Sequence, residues 1–458
     1  MKRHRTGIAA GIGIVLSLLG TLSAAALAAP ATASLSAATA ATAADGTGVV
    51  AALDRAAHPL HTVEPGGDTG DLRALDRMIG AARVVGLGEA THSSHDFFAL
   101  KDRVFRHLVE EKGVRTFALE GSWSTGLRLD DYVLHGTGDP GRIMSDEFQS
   151  EYLWWNNAEY LRLVGWMRAY NVRHPGDPVR FMGDDFAWTG PELYDDVTRY
   201  VARAHPELTS RLDALYLGLR PTVKVETYMV GYYDQPLAER REKAGRTAEA
   251  LELLRGQPPG ADRAAHDRAV QYAAVIDQTA RWYAYDFADP EQNAASLLWR
   301  DRTMAENVLW WREHTGTKVL LSAHDAHVGY ESFDPATYPR MQGAFLRDRL
   351  GAGYVSVGVT FDRGSFNALD ADQNLRKWTL GPAGPGTAEA VLDQVRYRDY
   401  VVDLRSVSAP AREWLDVVRP VRFIGTDHPG PEFRIALGRS HDVLIHLHRV
   451  EAALLRDR

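Results

Sequence analysis

The chain has 458 residues, with 52 lysines and arginines against 60 aspartates and glutamates, a formal net charge of −8 at neutral pH. That balance excludes nucleic acid as the default partner, because phosphate binding wants a basic face. There is no cysteine, which removes disulfides, thiolate nucleophiles and cysteine-type zinc sites together.

Lys2-Arg3-His4-Arg5 precedes an apolar stretch from Gly7 to Leu27, and Ala26-Leu27-Ala28 provides a small-residue exit. A signal peptide is expected over residues 1–28, and with it a secreted protein holding no stable membrane association after cleavage. Residues 29–48, rich in Ala, Thr and Ser, read as a low-complexity leader. The remainder, 49–458, reads as one α/β domain.

Val49 to Ala82 has a helical pattern. Val84-Val85-Gly86-Leu87-Gly88 is short, β-branched and bounded by glycines, so it reads as a buried strand whose glycines permit a turn into Glu89 and His92. Phe97, Phe98, Leu100, Val104, Phe105, Leu108 and Val109 recur at helical spacing up to Lys112-Gly113. A second strand, Thr116 to Leu119, ends in Glu120, and strand–helix–strand at this spacing predicts a parallel pair. Trp154, Trp155, Tyr160 and Met167 mark one aromatic-rich helical stretch, and Val179–Gly183 a third strand closing on Asp184-Asp185. Strand signals vanish between about 191 and 314, which predicts a helical insertion forming a lid or cleft wall. Lys318–Ala323 and Tyr354–Thr360 are further strands and Val443–Leu447 a late one. The fold class is therefore α/β, a central mostly parallel sheet with flanking helices and a helical insertion.

Ligands of such sheets bind at the carboxyl ends of the strands, where Glu89, His92, Glu120, Asp185, His324 and His327 converge. Histidines beside carboxylates suit proton transfer near neutral pH. A Gly-x-Ser-x-Gly elbow and a His-Glu-x-x-His helix are both absent, so water activated by histidine is the simplest chemistry. Two alternatives stay open: a metal-dependent hydrolase or protease with His92, His95, Glu120 and the 324/327 pair as ligands, and a non-catalytic binding protein.

Gly88-Glu89-Ala90-Thr91-His92 resembles the Gly-Glu-x-x-His signature of the erythromycin esterase family, and Phe117–Glu120 resembles the strand bearing its second acid. Arg300-Asp301, Met304–Asn307 and Ala323–Gly329 resemble later motifs, in the same order. A more distant similarity links this family to Gly-x-x-His metalloprotease-like and haem-binding proteins. The resemblance implies a cofactor-free, metal-independent hydrolase opening a small-molecule ester or macrolide-like lactone. It makes His92 the general base, with Glu89, Glu120, His324 and His327 ordering the water, orienting the base and stabilising the oxyanion. The sequence departs from the family where an arginine is usual, carrying Lys101, with Arg103 two residues on. Lys101, Arg103 and Asp185 are expected to bind substrate, and so are Tyr232 and Tyr233, in a stretch that reads as a glycine-broken loop.

Overall fold

The computed structural model describes residues 47–457; the expected signal peptide, and the leader up to residue 46, lie outside the described residues. A helix over 47–56 begins inside the last two leader positions. The strands are β1 (His58–Pro59), β2 (Val84–Leu87), β3 (Val114–Ser122), β4 (Arg180–Asp185), β5 (Lys318–Ser322), β6 (Tyr354–Leu369), β7 (Leu375–Leu380), β8 (Tyr400–Asp403), β9 (Arg419–Val421), β10 (Phe433–Ile435) and β11 (Val443–Val450). Nine of them form one sheet in the order β1-β8-β11-β6-β2-β5-β3-β4, with β7 pairing on β6, while β9 and β10 pair separately. The run from β11 to β4 is parallel throughout, and the antiparallel pairings lie at one end and along β6.

Parallel strands covered on both faces read as continuous apolar runs, which is why Val84–Leu87, Phe117–Leu119 and Val319–Leu321 are all buried. Between β2 and β3 lies helix α1 (His95–Glu111), which packs Phe97, Phe98, Val104, Phe105 and Leu108 inward and stops where Gly113 takes a φ of +67°. The aromatic stretch is two pieces. Trp154 and Trp155 end a 3-10 helix (Ser150–Trp155), and α2 (Ala158–Arg173) starts anew where Asn157 accepts the Tyr160 N–H at 2.7 Å. Asparagine at that position caps a new helix better than it continues an old one.

The segment from Pro191 to Thr315 is helical among the described residues. Its two longest helices, α3 (Arg263–Tyr283) and α4 (Pro290–Thr315), lean on the end of β4. Thr279 donates to the Phe186 carbonyl at 2.6 Å, Tyr283 to Ala187 at 3.2 Å, and Asn307 to Asp184 at 2.9 Å. No described helix is long and apolar enough to cross a membrane. After β11, residues 451–456 run back over the loops beyond β2. The backbone N–H of His95 donates to the Glu451 carbonyl, that of Ala453 to Ser93 and that of Ala158 to Leu454, at 2.7, 3.2 and 2.9 Å.

Candidate active site

Four adjacent parallel strands, β2, β5, β3 and β4, end together, and each delivers polar side chains to that edge: Glu89 and His92, His324, Glu120, and Asp185. The glycines of the first motif are there for close approach rather than for a left-handed turn. A Cβ on Gly86 would lie 2.3 Å from the Tyr354 hydroxyl, and one on Gly88 would lie 1.8 Å from Asp325 Oδ1. Asp325 in turn accepts the Val359 N–H of β6 at 2.9 Å and donates its own N–H to the Glu89 carbonyl at 3.0 Å, so the loop after β2 is fitted against the turn after β5.

His92 Nδ1 and Glu89 Oε1 are 2.9 Å apart, and Glu89 Oε2 takes the Lys101 ammonium at 2.5 Å. Glu89 and Lys101 are both fully buried. The ion pair keeps Glu89 an acceptor, so His92 carries its neutral-state proton on Nδ1 and presents the Nε2 lone pair outward. His92 Nε2 has no partner among the described residues. The His92 ring meets Trp155 edge-on at 5.4 Å and lies 5.0 Å from the His324 ring.

His324 Nδ1 accepts the Ala326 N–H at 3.2 Å, which puts the proton of the neutral ring on Nε2. That Nε2 is buried without a hydrogen-bond partner among the described residues, an unused donor. Burial first, and then the neighbouring His92, hold its pKa well below the usual histidine range, so His324 is neutral.

The Glu120 carboxylate accepts the His324 backbone N–H at 3.0 Å, lies 3.2 Å from His327 Nε2, and accepts Arg300 Nη2 at 3.1 Å. Burial alone would raise its pKa, but His327, His92 and Arg300 hold it well below the usual range. Arg300 also grips Asp185 Oδ2 at 2.6 Å, and His327 Nδ1 lies 2.7 Å from Asp301 Oδ1. Desolvation disfavours the His327 cation, yet Asp301 and Glu120 outweigh it and push its pKa up to about 10.

A group whose folded pKa is raised from 6.5 to about 10 adds stability that is fully present below pH 6.5 and is lost as pH rises through 10. The unfolding free energy should therefore decline between about pH 6.5 and 10, and His327→Gln should flatten that slope. Denaturant titrations across the window read it; an unchanged slope would remove His327 from the cation role.

The structure brings His92, Glu89, Glu120, His324 and His327 together at one strand edge. It ties the five residues expected to bind substrate to other partners. Lys101 is fully buried and spends its charge on Glu89 and, at 3.2 Å, on the Ala323 carbonyl. Arg103 points the other way, gripping Asp71 at 2.6 Å and the carbonyls of Thr62 and Asp68, because it lies two helical positions round α1 from Lys101. Asp185 is fully buried and committed to Arg300. Tyr232 and Tyr233 belong to a helix, Val225–Tyr233, and stack on Tyr283 and Phe287 in the core of the insertion. His95 shares no ligand geometry with His92, since its two nitrogens face Glu159 and Glu64 at 2.7 and 2.6 Å.

Arg300, Asp301 and Glu151 also belong to the site. For the first two the sequence signal is the Arg300-Asp301 motif that resembles the family's, inside an otherwise mixed polar and apolar helix. Glu151 has no such pattern. It makes no hydrogen bond or ion pair among the described residues, and burial pushes its carboxyl up to about 7 against the pull of Arg300. The residue before it, Ser150, has a φ of +53°, a costly conformation for a residue with a side chain.

The sequence model of the erythromycin esterase family matches residues 109–450. Among curated proteins, an erythromycin esterase type II from Escherichia coli is 24% identical over 333 residues, 68% of this chain and 76% of that protein. A putative hydrolase, YbfO, from Bacillus subtilis is 21% identical over 429 residues, 88% of this chain and 91% of the other. A solved structure from Bacillus cereus has a TM-score of 0.82 at 27% identity, covering 90% of this chain and 99% of that one. A mutant of the erythromycin esterase EreC, solved in its open conformation, has a TM-score of 0.68 at 17% identity, with coverage of 86% and 98%, and shares the fold.

Proposed function

The chain belongs to the erythromycin esterase family and is an esterase-type hydrolase of a small molecule, and from that premise we propose that it opens a bulky lactone of the macrolide class with water activated by His92. The observation that carries this reading is the free Nε2 of His92, with Nδ1 held by the buried Glu89–Lys101 pair 2.9 Å away.

Water on Nε2 gives up its proton as its oxygen attacks the ester carbonyl. The carbonyl oxygen becomes an oxyanion, and the unpartnered Nε2–H of neutral His324 is the donor suited to meet it. Collapse breaks the acyl C–O bond. The departing alkoxide takes a proton from the His92 imidazolium or from Glu151, whose carboxyl titrates near neutrality. The products are a carboxylate and a free hydroxyl, one water heavier than the lactone. Arg300 and protonated His327 keep Glu120 ionised, and Glu120 fixes the His324 backbone. The reading also includes metal-independent catalysis, an insertion at about 191–314 that walls the cleft, and export by the segment ending at Ala28.

One experiment covers these points. Protein recovered from culture medium should have the mass of a chain starting at Ala29, and should convert a macrolide to a product heavier by one water with chelator present. Protein that stays in the cell at full mass removes export. Turnover abolished by chelator and restored by zinc removes the metal-free mechanism, and tight binding without turnover on any ester removes catalysis.

A further inference from the structure

On the side of β2 away from β5 and β3, β6 and β11 lie side by side in parallel, with His446 opposite Thr360 and Leu447 opposite Phe361. Side chains alternate across a sheet, so His446 and His448 share a face with Thr360 and Asp362. Asp393, at the end of the short helix Ala388–Leu392, descends onto that face. Its Oδ1 lies 2.7 Å from His448 Nδ1 and 3.3 Å from His446 Nε2. Ligand atoms of Asp362, Asp393 and His448 all fall within 4.8 Å of one another.

We propose that His448, Asp393 and Asp362 form a divalent transition-metal site, with zinc its best fit, that pins β6, β11 and the 388–392 helix together. Two imidazole nitrogens converge on one carboxylate oxygen, and each needs either a proton or a shared cation between itself and that oxygen. Zinc bonds of about 2.0–2.2 Å in a tetrahedron hold neighbouring donor atoms roughly 3.3 Å apart, within the 4.8 Å that spans the three ligand atoms here. His446 is fully buried and stands behind the ligands, its Nε2 3.3 Å from Asp393 Oδ1 and its Nδ1 held by Thr360 Oγ1 at 3.0 Å. A hydrogen-bonded neighbour of that kind orients a ligating carboxylate. The imidazole among the donors favours zinc over calcium or magnesium, which take oxygen alone.

The resident cation is Arg363, whose Nε donates to Asp362 Oδ2 at 2.6 Å and whose Nη2 lies 3.6 Å from Asp393. One guanidinium leaves one of the two carboxylates uncompensated when the imidazoles are neutral. Arg363 is about one-third exposed and has water to swing into. Asp362 is also held at Oδ1 by the Ala383 N–H at 2.9 Å, so a carboxylate is fixed at the site without Arg363.

The test titrates zinc chloride into the chelator-stripped full chain by calorimetry, and follows thermal unfolding in parallel. One zinc per chain and a raised unfolding temperature are expected. His448→Ala and Asp393→Asn should each weaken binding at least tenfold and erase the thermal gain, while Arg363→Gln should tighten binding. Ester turnover at room temperature should be the same in all three. Circular dichroism reports the fold of each variant, and Arg363→Gln tests the site should either ligand variant fail to fold. No zinc uptake by the unaltered chain, or uptake by Arg363→Gln alone, overturns the proposal. So does uptake that survives both ligand variants but is lost in His92→Asn.

Discussion

His92→Asn should leave a folded protein whose kcat is lower by about 10²–10⁴-fold, the usual share of a general base. Asparagine can still accept a hydrogen bond from water but cannot take its proton. The side chain it replaces is buried and bonded to one partner, so little packing is lost. KM should move far less than kcat, because no ground-state substrate contact is being removed. Steady-state kinetics beside a thermal melt decide it: a folded mutant with near-normal kcat takes the base role away from His92. Glu89→Gln should follow the same direction with a smaller loss, since an amide can no longer stabilise the imidazolium that forms as water is deprotonated.

Lys101→Met should damage the molecule more broadly. Lys101 and Glu89 form a fully buried ion pair at 2.5 Å, and removing one partner of such a pair costs about 3–5 kcal/mol by stranding the other charge. Stranded, Glu89 loses the cation that holds it in place against the His92 Nδ1–H, and activity falls with stability. The double variant Lys101→Met/Glu89→Gln should recover much of the stability and none of the activity. That split separates a charge effect from a packing effect, because both variants carry the same methionine. Equal melting temperatures for the parent and Lys101→Met would show that the pair contributes nothing. Lys101→Arg keeps the charge, but the space is already closed around an ammonium, and the larger planar group has to displace the Ala323 carbonyl that Lys101 reaches at 3.2 Å.

The strands of the site were legible because they are buried on both faces. Val84–Leu87 and Lys318–Ser322 leave uninterrupted apolar runs that stop just short of polar residues, and those polar residues reach the cleft. The strands missed are short or partly exposed. His58–Pro59 is two residues long, and Leu375–Leu380 is mostly exposed, so neither leaves a periodic signal. Polar residues on helices were harder. Lys101 and Arg103 look alike in sequence, and only the 3.6-residue turn of α1 sends one to Glu89 and the other to Asp71. Arg300 arrives from a helix far along the chain from Glu120 and Asp185, and no local pattern announces which acids it will meet. The helical segment is thus part of the site's charge balance.

The interleaved strand order fixes how much of the chain must be in place before the site can form. The central strand β2 has its neighbours in β5 and β6, so Val84 has no strand partner until Val319 and Tyr354 arrive. Pairings this distant along the chain close late and slowly. Residues 451–456 lie across the loop that follows His92. A nascent chain halted just before Tyr354 already contains Glu89, His92, Glu120, His324 and His327, yet nothing supports β2 on its β6 side and nothing ties down its loop. The chemistry at Glu89 and His92 thus depends on strands that lie far downstream of them.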